Sequence, residues 1–368
     1  MTNVVFMGTM RYVPLLEVVV GRLDHLALSE VPLPGYVSRR IRHEDYPVLL
    51  PDAGHCATGL MVEGLTDADM MRVVFYNACF GCSLTELQLG RDTSVLFFLS
   101  EREDLRLADV WSQDVFERTG AQMTTLAAQE IMSYMGRKSP QQINAMFPMI
   151  RARAASRLRA RSAAGTGGSF RGRIQIERRA REYAEFFALD AFKLRHERFD
   201  GAMSADLDRA VFIAADAALV LPYDPERDRV LLVEQFRMGP LARDDRQCWQ
   251  YEPIAGRIDA GETPAAAALR EAREEAGLDI ARLIPIAETY PTPGTSSEYY
   301  YLYLGIAALP DGIGGHGGLA AENEDIRSHL IDFEALMGLC DTRQVVNAPL
   351  VMAAYWLARH RERLRAEA

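Results

Sequence analysis

The sequence predicts an α+β protein built from two folded parts, and three observations support this prediction. The chain has 368 residues, and at about 150 residues per domain this length fits two or three domains. Small residues without apolar periodicity fill 163–169, a pattern typical of a linker. Strand and helix patterns are mixed before this stretch, whereas strand patterns dominate after it. We expect domains at 1–105 and 177–365, a helical extension at 106–162 and a linker at 163–176.

The elements of the first half follow from short apolar runs and capping residues. Strands are predicted at 4–7, 57–63, 84–89 and 95–99, and helices at 15–20, 67–76, 108–136 and 140–160. Thr66 is the expected N-cap of the helix at 67–76. Ser139 followed by Pro140 is the expected start of the last helix, because proline suits the first helical turn. The first half is therefore predicted to be α+β with a helical tail.

An arginine-rich segment joins the two halves, with seven arginines between Arg151 and Arg173. Alanines separate these arginines, and the run before the linker holds no aromatic residue on which a base could stack. We therefore expect a solvated helix that leads into the linker. In the second half, strands are predicted at 192–199, 210–213, 218–221 and 229–233, with a turn at Asp224-Pro225 between the last two.

Composition and charge exclude several classes of protein. Hydrophobic residues make up 49% and charged residues 25% of the chain, so wholesale disorder, a collagen-like repeat and a coiled coil are all excluded as the main structure. Lys and Arg number 41 against 51 Asp and Glu, and the resulting net charge of −10 repels nucleic acid and anionic membranes. We expect a small-molecule partner, with no nucleic acid and no membrane. An anionic ligand would have to be received by metal ions or by local arginines.

The cysteines and the apolar runs predict a cytoplasmic location. Five cysteines are thinly spread over the chain, which favours free thiols over a disulfide framework. They are Cys56, Cys79, Cys82, Cys248 and Cys340. No apolar run approaches the roughly 20 residues that span a bilayer, and Arg11, Glu17 and Arg22 interrupt the first apolar stretches.

The most informative stretch lies at 256–278, where acidic side chains gather on one predicted helix. Thr263-Pro264 starts this helix and Gly277 ends it. Glu271 lies three residues before Glu274 and four before Glu275, so the three carboxylates share one face and repel one another. A stable helix would spread such charges unless a cation neutralised them. A hard divalent cation bound through oxygen ligands is the expected solution.

This stretch resembles the Nudix hydrolase signature, in which a glycine loop precedes a helix carrying Arg-Glu-aliphatic-x-Glu-Glu-x-Gly-aliphatic. Ala272 is the one loose position, since a bulkier aliphatic residue is usual there. Three further landmarks resemble the ADP-ribose pyrophosphatase type: Pro293, the strand end 234–237 and the acidic loop 318–327. The matching signature residues are Gly256, Glu262, Arg270, Glu271, Glu274, Glu275, Gly277 and Leu278.

The resemblance implies roles for individual residues. Mg²⁺, with Mn²⁺ as a substitute, is the implied cofactor, held by Glu271, Glu275, Glu324 and the carbonyl of Ala255. Glu322 is the implied general base, with Glu298 as the rival. The implied catalytic group is Glu322, Glu274 and Arg270, and the implied substrate-binding residues are Arg237, Glu298 and Gly256. Since a guanidinium cannot ligate a metal, we expect Arg270 to pair with Glu262 or Glu274 and hold the ligands in place.

The same resemblance implies an activity, a fold and an assembly. The implied reaction is hydrolysis of ADP-ribose to AMP and ribose 5-phosphate in an α/β/α sandwich. A homodimer that exchanges N-terminal strands, here 192–215, is also implied. Two alternatives stay open: hydrolysis of another nucleoside diphosphate derivative, such as a sugar nucleotide or a dinucleotide, and a nucleotide-binding regulator without catalysis.

The first residues resemble the opening of the gamma-glutamylcyclotransferase-like fold, a mixed β-barrel. Phe6 to Arg11 would form a turn whose backbone N–H groups bind a carboxylate. Asn77 stands where that family has its catalytic glutamate, and an amide cannot act as a general base. We therefore expect a binding or regulatory domain without cyclotransferase activity; the pairing with a Nudix half resembles bacterial proteins linked to tellurite resistance. The expected N-terminal pocket is lined by Gly8, Thr9, Met10 and Arg11.

Overall fold

A computed structural model describes residues 2–42, 44, 46–88, 94–100, 105–163, 167–318 and 324–368. The chain divides into two compact units, Met1–Ala164 and Gly165–Ala368. They are called the N-terminal and the C-terminal unit below. Both mix helices with sheets, which confirms the mixed α and β composition predicted from the sequence.

The N-terminal unit contains a six-stranded mixed sheet with the order β4-β5-β1-β3-β2-β6. Strand β1 pairs in parallel with β5 and antiparallel with β3, and so it lies at the centre of the sheet. The described pairings form one open path, and closure into a barrel stays a prediction. The strands are β1 (Thr2–Phe6), β2 (Ala27–Ile41), β3 (Pro47–Leu65), β4 (Cys82–Gln88), β5 (Ser94–Ser100) and β6 (Leu107–Val110).

Two helices of the N-terminal unit begin at the predicted caps. Thr66 accepts the Asp69 N–H at 3.2 Å while the Asp69 carboxylate accepts the Thr66 N–H at 2.9 Å, which confirms the predicted cap. Ser139 and Gln142 form the same reciprocal pair, with Pro140 in the first turn. After the 3₁₀ turn Gly8–Arg11, the helices are α1 (Val13–Val20), α2 (Asp67–Ala78), α3 (Gln113–Thr119), α4 (Ala121–Met132) and α5 (Pro140–Ser162).

The predicted helix at 108–136 is wrong in its first part. Residues 107–110 form β6, which pairs with β2 at Arg39 and Val110. The remaining stretch is divided at Gly120, where α3 ends and α4 begins. The helical pattern is local, whereas the pairing with β2 joins residues some 70 positions apart, so tertiary contact overrode the local signal.

The expected solvated character of the arginine-rich helix is also wrong at one position. Arg153 is 1% exposed and donates to Glu130 of α4, with Nη2–Oε1 at 2.6 Å and Nε–Oε1 at 3.0 Å. Tyr134 donates its hydroxyl to the same carboxylate at 2.9 Å. This buried ion pair joins α4 to α5, the longest helix of the unit in the described part of the chain.

In the C-terminal unit a three-stranded antiparallel sheet precedes an eight-stranded mixed sheet. Strand β7 begins within the range predicted as linker. The small sheet consists of β7 (Ile174–Ala184), β8 (Ala188–His196) and β9 (Leu207–Ile213). The large sheet consists of β10 (Ala217–Asp224), β11 (Arg229–Phe236), β12 (Trp249–Glu252), β13 (Ile254–Arg257), β14 (Arg282–Thr289), β15 (Tyr300–Ile306), β16 (His316–Gly317) and β17 (Ile326–Asp332).

Helices cover both faces of the large sheet. On one face, Leu231 and Val233 of β11 pack with Ala272 of α7 (Pro264–Ala276). On the other face, Leu232 packs with α8 (Phe333–Asp341) and α9 (Ala348–Ala366). A short helix, α6 (Met238–Ala242), follows β11. The side chains on the two faces alternate along β11, as expected for a strand buried on both sides.

Two further features concern the cysteines and the helices. All five cysteines are free, which confirms the prediction of thiols. Among the helices described here, none combines the length and the apolar character that crossing a bilayer requires.

Candidate functional site

The acidic helix α7 begins and ends where the sequence predicts. Thr263 accepts the Ala266 N–H at 3.2 Å, and Pro264 occupies the first turn. Gly277 adopts a φ of 63°, and Leu278 donates its N–H back to Ala272 at 2.9 Å. A left-handed residue at this position favours glycine, so the helix stops directly after its carboxylates.

Gly256 allows the backbone of β13 to lie against the helix. A Cβ atom at this position would lie 1.8 Å from the Oε1 atom of Glu271. Residue Ala218 of β10 pairs with Gly256 and fixes the strand there. A side chain at position 256 would therefore displace the Glu271 carboxylate. This close approach is the physical reason for the glycine of the loop.

Arg270 binds three glutamates at once. Its guanidinium reaches Glu262 at 3.0 and 3.1 Å, Glu271 at 2.6 Å and Glu274 at 2.8 Å. It also donates to the Arg257 carbonyl at 3.0 Å. The sequence led us to expect Glu262 or Glu274, and the structure has both. The pKa of Arg270 is raised, first through its hydrogen bonds to Glu262, so it stays charged and orients the carboxylates.

Glu275 is the most deeply buried acid of α7, with 2% exposure. Burial raises its pKa to about 8, and the charges of Glu271 and Glu324 act in the same direction. The Ala255 N–H donates to Oε2 of Glu275 at 3.3 Å and opposes the shift. Burial also raises the pKa of Glu271. Ionisation of both Glu271 and Glu275 is therefore unfavourable unless a cation is present.

Gly317 of β16 lies against the carboxyl end of α7, and Gly318 lies against Glu324. A Cβ atom at Gly317 would lie 1.9 Å from the backbone oxygen of Glu275, and one at Gly318 would lie 2.8 Å from Cβ of Glu324. Glu324 also raises the pKa of both Glu271 and Glu275. The structure thus brings Glu324 to the helix from about 50 residues further along the chain. Glu322, the expected general base, lies outside the residues that the structure describes.

The donors around Gly256 fit a hard divalent cation. Within the described ranges, no three His, Cys, Asp or Glu side chains are grouped so that they could hold a metal ion. Mg²⁺, however, usually takes only one or two protein carboxylates and completes its shell with waters and substrate phosphates. Glu271 and Glu275 meet that requirement, with Glu324 near both. The space that a Cβ atom would fill at Gly256 is what admits the Glu271 carboxylate.

The expected phosphate-binding Arg237 is held by an acid that sequence reasoning missed. Its guanidinium makes a two-pronged contact with Glu252, at 2.7 and 2.8 Å, and Glu252 is 4% exposed. The positive charge of Arg237 acts on both Glu275 and Glu298, where it opposes the upward shift of their pKa values. A glutamate four residues before Gly256, directly ahead of Pro253 and Ile254, is the one sequence signal that could have indicated this partner.

Glu298 lies in a loop that is tied to β9. Ser297 donates its N–H to Phe212 at 2.9 Å, and Tyr300 donates its hydroxyl to Glu298 at 3.2 Å. Burial raises the pKa of Glu298, and Asp216, a buried acid that the sequence did not single out, acts in the same direction. A carboxylate with a raised pKa beside Arg237 suits proton transfer or ligand binding.

The residues of the expected N-terminal pocket lie at two separate cavities. Thr9 and Met10 line one, whereas Gly8 and Arg11 line the other. Arg11 is paired with Glu30 at 2.8 Å. Gly8 has a φ of 56°, and Pro47 packs where its Cβ would be. The turn therefore does not gather its four residues around one ligand space.

Residues 214–352 match the NUDIX domain family. The ADP-ribose pyrophosphatase of Escherichia coli K12 is 38% identical over 198 residues, which cover 53% of this chain and 94% of that protein. A GDP-mannose pyrophosphatase of Enterobacter sp. strain 638 is 27% identical over 149 residues, which cover 40% of this chain and 76% of that protein. A solved structure of an ADP compounds hydrolase has a TM-score of 0.41 at 19% identity and covers 55% of this chain and 99% of its own.

Proposed function

This chain belongs to the Nudix hydrolase family, and from that premise we propose that its C-terminal unit hydrolyses ADP-ribose to AMP and ribose 5-phosphate with the help of Mg²⁺. The P–O–P linkage breaks, one phosphorus gains the oxygen of a water molecule, and the protons of that water are released. The observation that carries the proposal is the pair of carboxylates of Glu271, against Gly256, and Glu275, against Ala255, whose pKa values the charge of Glu324 raises further. The 38% identity to an ADP-ribose pyrophosphatase supports the choice of substrate.

Nudix hydrolases generally use a divalent metal, and in this chain Glu271, Glu275 and Glu324, with Ala255, are the residues that would hold it. When bound, Mg²⁺ supplies positive charge to the pyrophosphate oxygens and makes water more acidic. Arg270 keeps Glu271 and Glu274 in position through its hydrogen bonds. These contacts hold the carboxylates while substrate enters and leaves.

Arg237 is proposed to receive a phosphate of the substrate. Its contact with Glu252 fixes the plane of the guanidinium, and the charge of Glu275 reaches it. A guanidinium of fixed orientation suits two-pronged binding of phosphate oxygens. Glu322 or Glu298 then accepts a proton from the attacking water, and the raised pKa of Glu298 makes that carboxylate the stronger base of its type.

A different nucleoside diphosphate derivative is the second candidate substrate. The GDP-mannose pyrophosphatase among the relatives supports a sugar nucleotide, and a dinucleotide would present the same pyrophosphate. The third candidate, a nucleotide-binding regulator, is disfavoured because every carboxylate of the acidic helix is present. Its expected property is nucleotide binding that does not depend on Glu275.

A substrate panel with and without Mg²⁺ tests these candidates. The purified full chain is incubated with ADP-ribose, GDP-mannose and a diadenosine diphosphate, and phosphate-containing products are separated by ion-exchange chromatography. We expect AMP from ADP-ribose at the lowest substrate concentration, only with Mg²⁺, and a rate lowered about a thousandfold or more by Glu275→Gln. Glu226→Gln, at an exposed turn, is the matched control. Absence of hydrolysis of every substrate by the wild type, together with nucleotide binding that is equal in Glu275→Gln and Glu226→Gln, would support the regulator.

For the N-terminal unit we propose a binding or regulatory role without cyclotransferase activity. Asn77 in place of a catalytic acid supports this proposal. Release of 5-oxoproline from a gamma-glutamyl peptide above the buffer rate would contradict it. The gamma-glutamylcyclotransferase-like fold, the homodimer through 192–215 and a part in tellurite resistance stay predictions. Light scattering of the purified chain tests the dimer.

A further inference from the structure

Tyr300 and Glu298 form a contact to which the proposed hydrolysis assigns no role. The tyrosine donates its hydroxyl to Oε2 of Glu298 at 3.2 Å. Burial raises the pKa of Tyr300, and the charges of Glu298 and Glu252 raise it further, so the hydroxyl keeps its proton at neutral pH. An ionised carboxylate can only accept a hydrogen bond, and the direction of this contact is therefore set.

The ring of Tyr300 is held by more contacts than the acid to which it is bonded. Tyr300 is the first residue of β15, where it pairs with Ala217 of β10 and Thr289 of β14. Its ring packs against the core that includes residues of α8 and α9. Glu298 precedes the strand, and its N–H donates to Ser296 within the same loop at 3.1 Å. The tyrosine can therefore fix the orientation of a long side chain that its own loop leaves free to rotate.

Arg237 attracts Glu298, yet the two do not form an ion pair. Burial raises the pKa of Glu298, and the charge of Arg237 opposes this rise. Within the described ranges, the guanidinium is bonded to Glu252 and not to Glu298, with contacts at 2.7 and 2.8 Å. The side chain of Arg237 is 41% exposed, so part of it stays open to a ligand. A flexible carboxylate near a guanidinium would pair with it unless another donor held it.

We propose that Tyr300 is a positioning residue, whose hydroxyl holds the Glu298 carboxylate away from Arg237 and so keeps the guanidinium free to bind a phosphate of the substrate. Without this hydrogen bond, an ionised Glu298 would pair with Arg237. An arginine between two carboxylates binds a phosphate group less well, because its donors and its charge are already taken. The inference rests on the proposed role of Arg237 in phosphate binding. It predicts that the hydroxyl matters for binding only while Glu298 is present.

A double-mutant cycle on the full chain tests the proposal. The probe is the α,β-methylene analogue of ADP-ribose, whose P–C–P linkage is not hydrolysed, and isothermal titration calorimetry in Mg²⁺ gives its Kd. We expect Tyr300→Phe to weaken binding by about tenfold, but by about twofold or less when Glu298→Ala is already present. The KM for ADP-ribose should rise by a similar factor. Tyr303→Phe is the matched control, because it removes the same group from the opposite face of β15.

The possible outcomes separate this inference from the proposed hydrolysis. Equal losses for Tyr300→Phe with and without Glu298 would overturn the inference, because the hydroxyl would then not act through that carboxylate. Wild-type affinity in a folded Tyr300→Phe chain would overturn it too, as would failure of the wild type to bind the analogue. A wild type that binds the analogue but does not hydrolyse ADP-ribose would contradict the proposed hydrolysis alone, since the cycle measures binding.

Folding of each variant is checked by near-UV circular dichroism. Tyr300→Phe keeps the ring that packs in the core, so the expected loss of affinity is not a loss of fold. Tyr300→Leu also lacks the hydroxyl and replaces Tyr300→Phe in the cycle if that chain does not fold. The same dependence on Glu298 is expected for either variant.

Discussion

Two charged side chains, one in each unit, are almost fully buried, and their surroundings differ. Arg153 of the N-terminal unit is 1% exposed and donates to both carboxylate oxygens of Glu130. Glu275 of the C-terminal unit is 2% exposed and accepts a backbone N–H from Ala255 at 3.3 Å. The charges of Glu271 and Glu324 raise the pKa of Glu275, and the charge of Arg237 opposes them with a smaller effect.

This difference indicates that Arg153 has a structural role and Glu275 a functional one. Burying a charge is costly unless an opposite charge accompanies it. Arg153 receives its opposite charge from Glu130 on the preceding helix, so it serves the packing of α4 on α5. Glu275 is placed among like charges, and its pKa rises to about 8. A buried carboxylate whose pKa is raised by neighbouring acids is suited to bind a cation, because the cation compensates the clustered negative charge.

Removing the compensated cation should have the largest effect on stability. Arg153→Met leaves Glu130 buried without its opposite charge, and we expect a loss of about 3–5 kcal/mol. Hydrogen exchange of α4 and α5 peptides, followed by mass spectrometry across a urea series, measures the loss. Arg118→Met, an exposed arginine on α3, is the control and should change little.

A second substitution sharpens this prediction. Glu130→Leu combined with Arg153→Met replaces the whole pair by apolar side chains, and most of the lost stability should return. A single Arg153→Met variant that is as stable as the Arg118→Met control would mean that the pair contributes nothing, and the proposed contrast with Glu275 would fail.

Gly256→Ala should have the next largest effect, on the rate of ADP-ribose hydrolysis. The new Cβ atom would lie 1.8 Å from the Glu271 carboxylate, which must move. A displacement of this kind at a catalytic centre costs about a hundredfold in rate. Gly338→Ala, in α8 with nothing within 4 Å of the added atom, is the control. Steady-state rates of ADP-ribose hydrolysis are compared for the two variants. Equal rates would show that hydrolysis does not depend on the position of Glu271.

Arg270→Lys should have a smaller effect. Lysine keeps the positive charge but cannot reach Glu262, Glu271 and Glu274 together. We expect a fall in rate of about tenfold to a hundredfold, accompanied by a higher Mg²⁺ requirement. Arg273→Lys is the matched control on the same helix, because Arg273 is paired only with Asp279 among the contacts described. An unchanged Mg²⁺ requirement would argue against a role in holding the carboxylates.

The acidic helix could be predicted in full, because its signals are local. Thr263, Pro264 and Gly277 fix its ends within the chain itself, and the spacing of its glutamates follows from helical geometry. The contacts of Arg270 were predictable for the same reason, since Glu262 and Glu274 lie within eight residues of it.

What the sequence did not predict depends on contacts between distant residues. Strand β2 was missed because Pro32 and Pro34 interrupt its pattern, and its pairing with β3 resolves the break by a register shift at Tyr36. The burial of Arg153 depends on Glu130, which lies 23 residues earlier on another helix. Glu252 was missed as the partner of Arg237, since only the pairing of β11 with β12 brings the two together.

A pH series on the metal-free protein tests the contrast from the side of Glu275. The pKa of Glu275 is raised by burial to about 8, so the folded chain keeps a proton that the unfolded chain loses above the usual pKa of glutamate. The free energy of unfolding should therefore fall as the pH rises from the usual pKa of glutamate to about 8, by at most about 1.4 kcal/mol per pH unit. Asp190 gives the opposite sign, because its bonds to Arg181 and Arg179 lower its pKa and its contribution is lost in acid.

Divalent cations should reverse this pH dependence, because a cation must displace the proton on Glu275. Mg²⁺ affinity is then expected to rise with pH, by at most about tenfold per unit, and to level off above about pH 8. Thermal unfolding with and without Mg²⁺ measures the affinity through the shift in Tm. Glu275→Gln removes the titration and should flatten the metal-free curve in this range, whereas Glu226→Gln should not. A wild-type affinity that does not change between about pH 6 and pH 8 would mean that Glu275 is already ionised without metal, and the buried acid would then be compensated like Arg153.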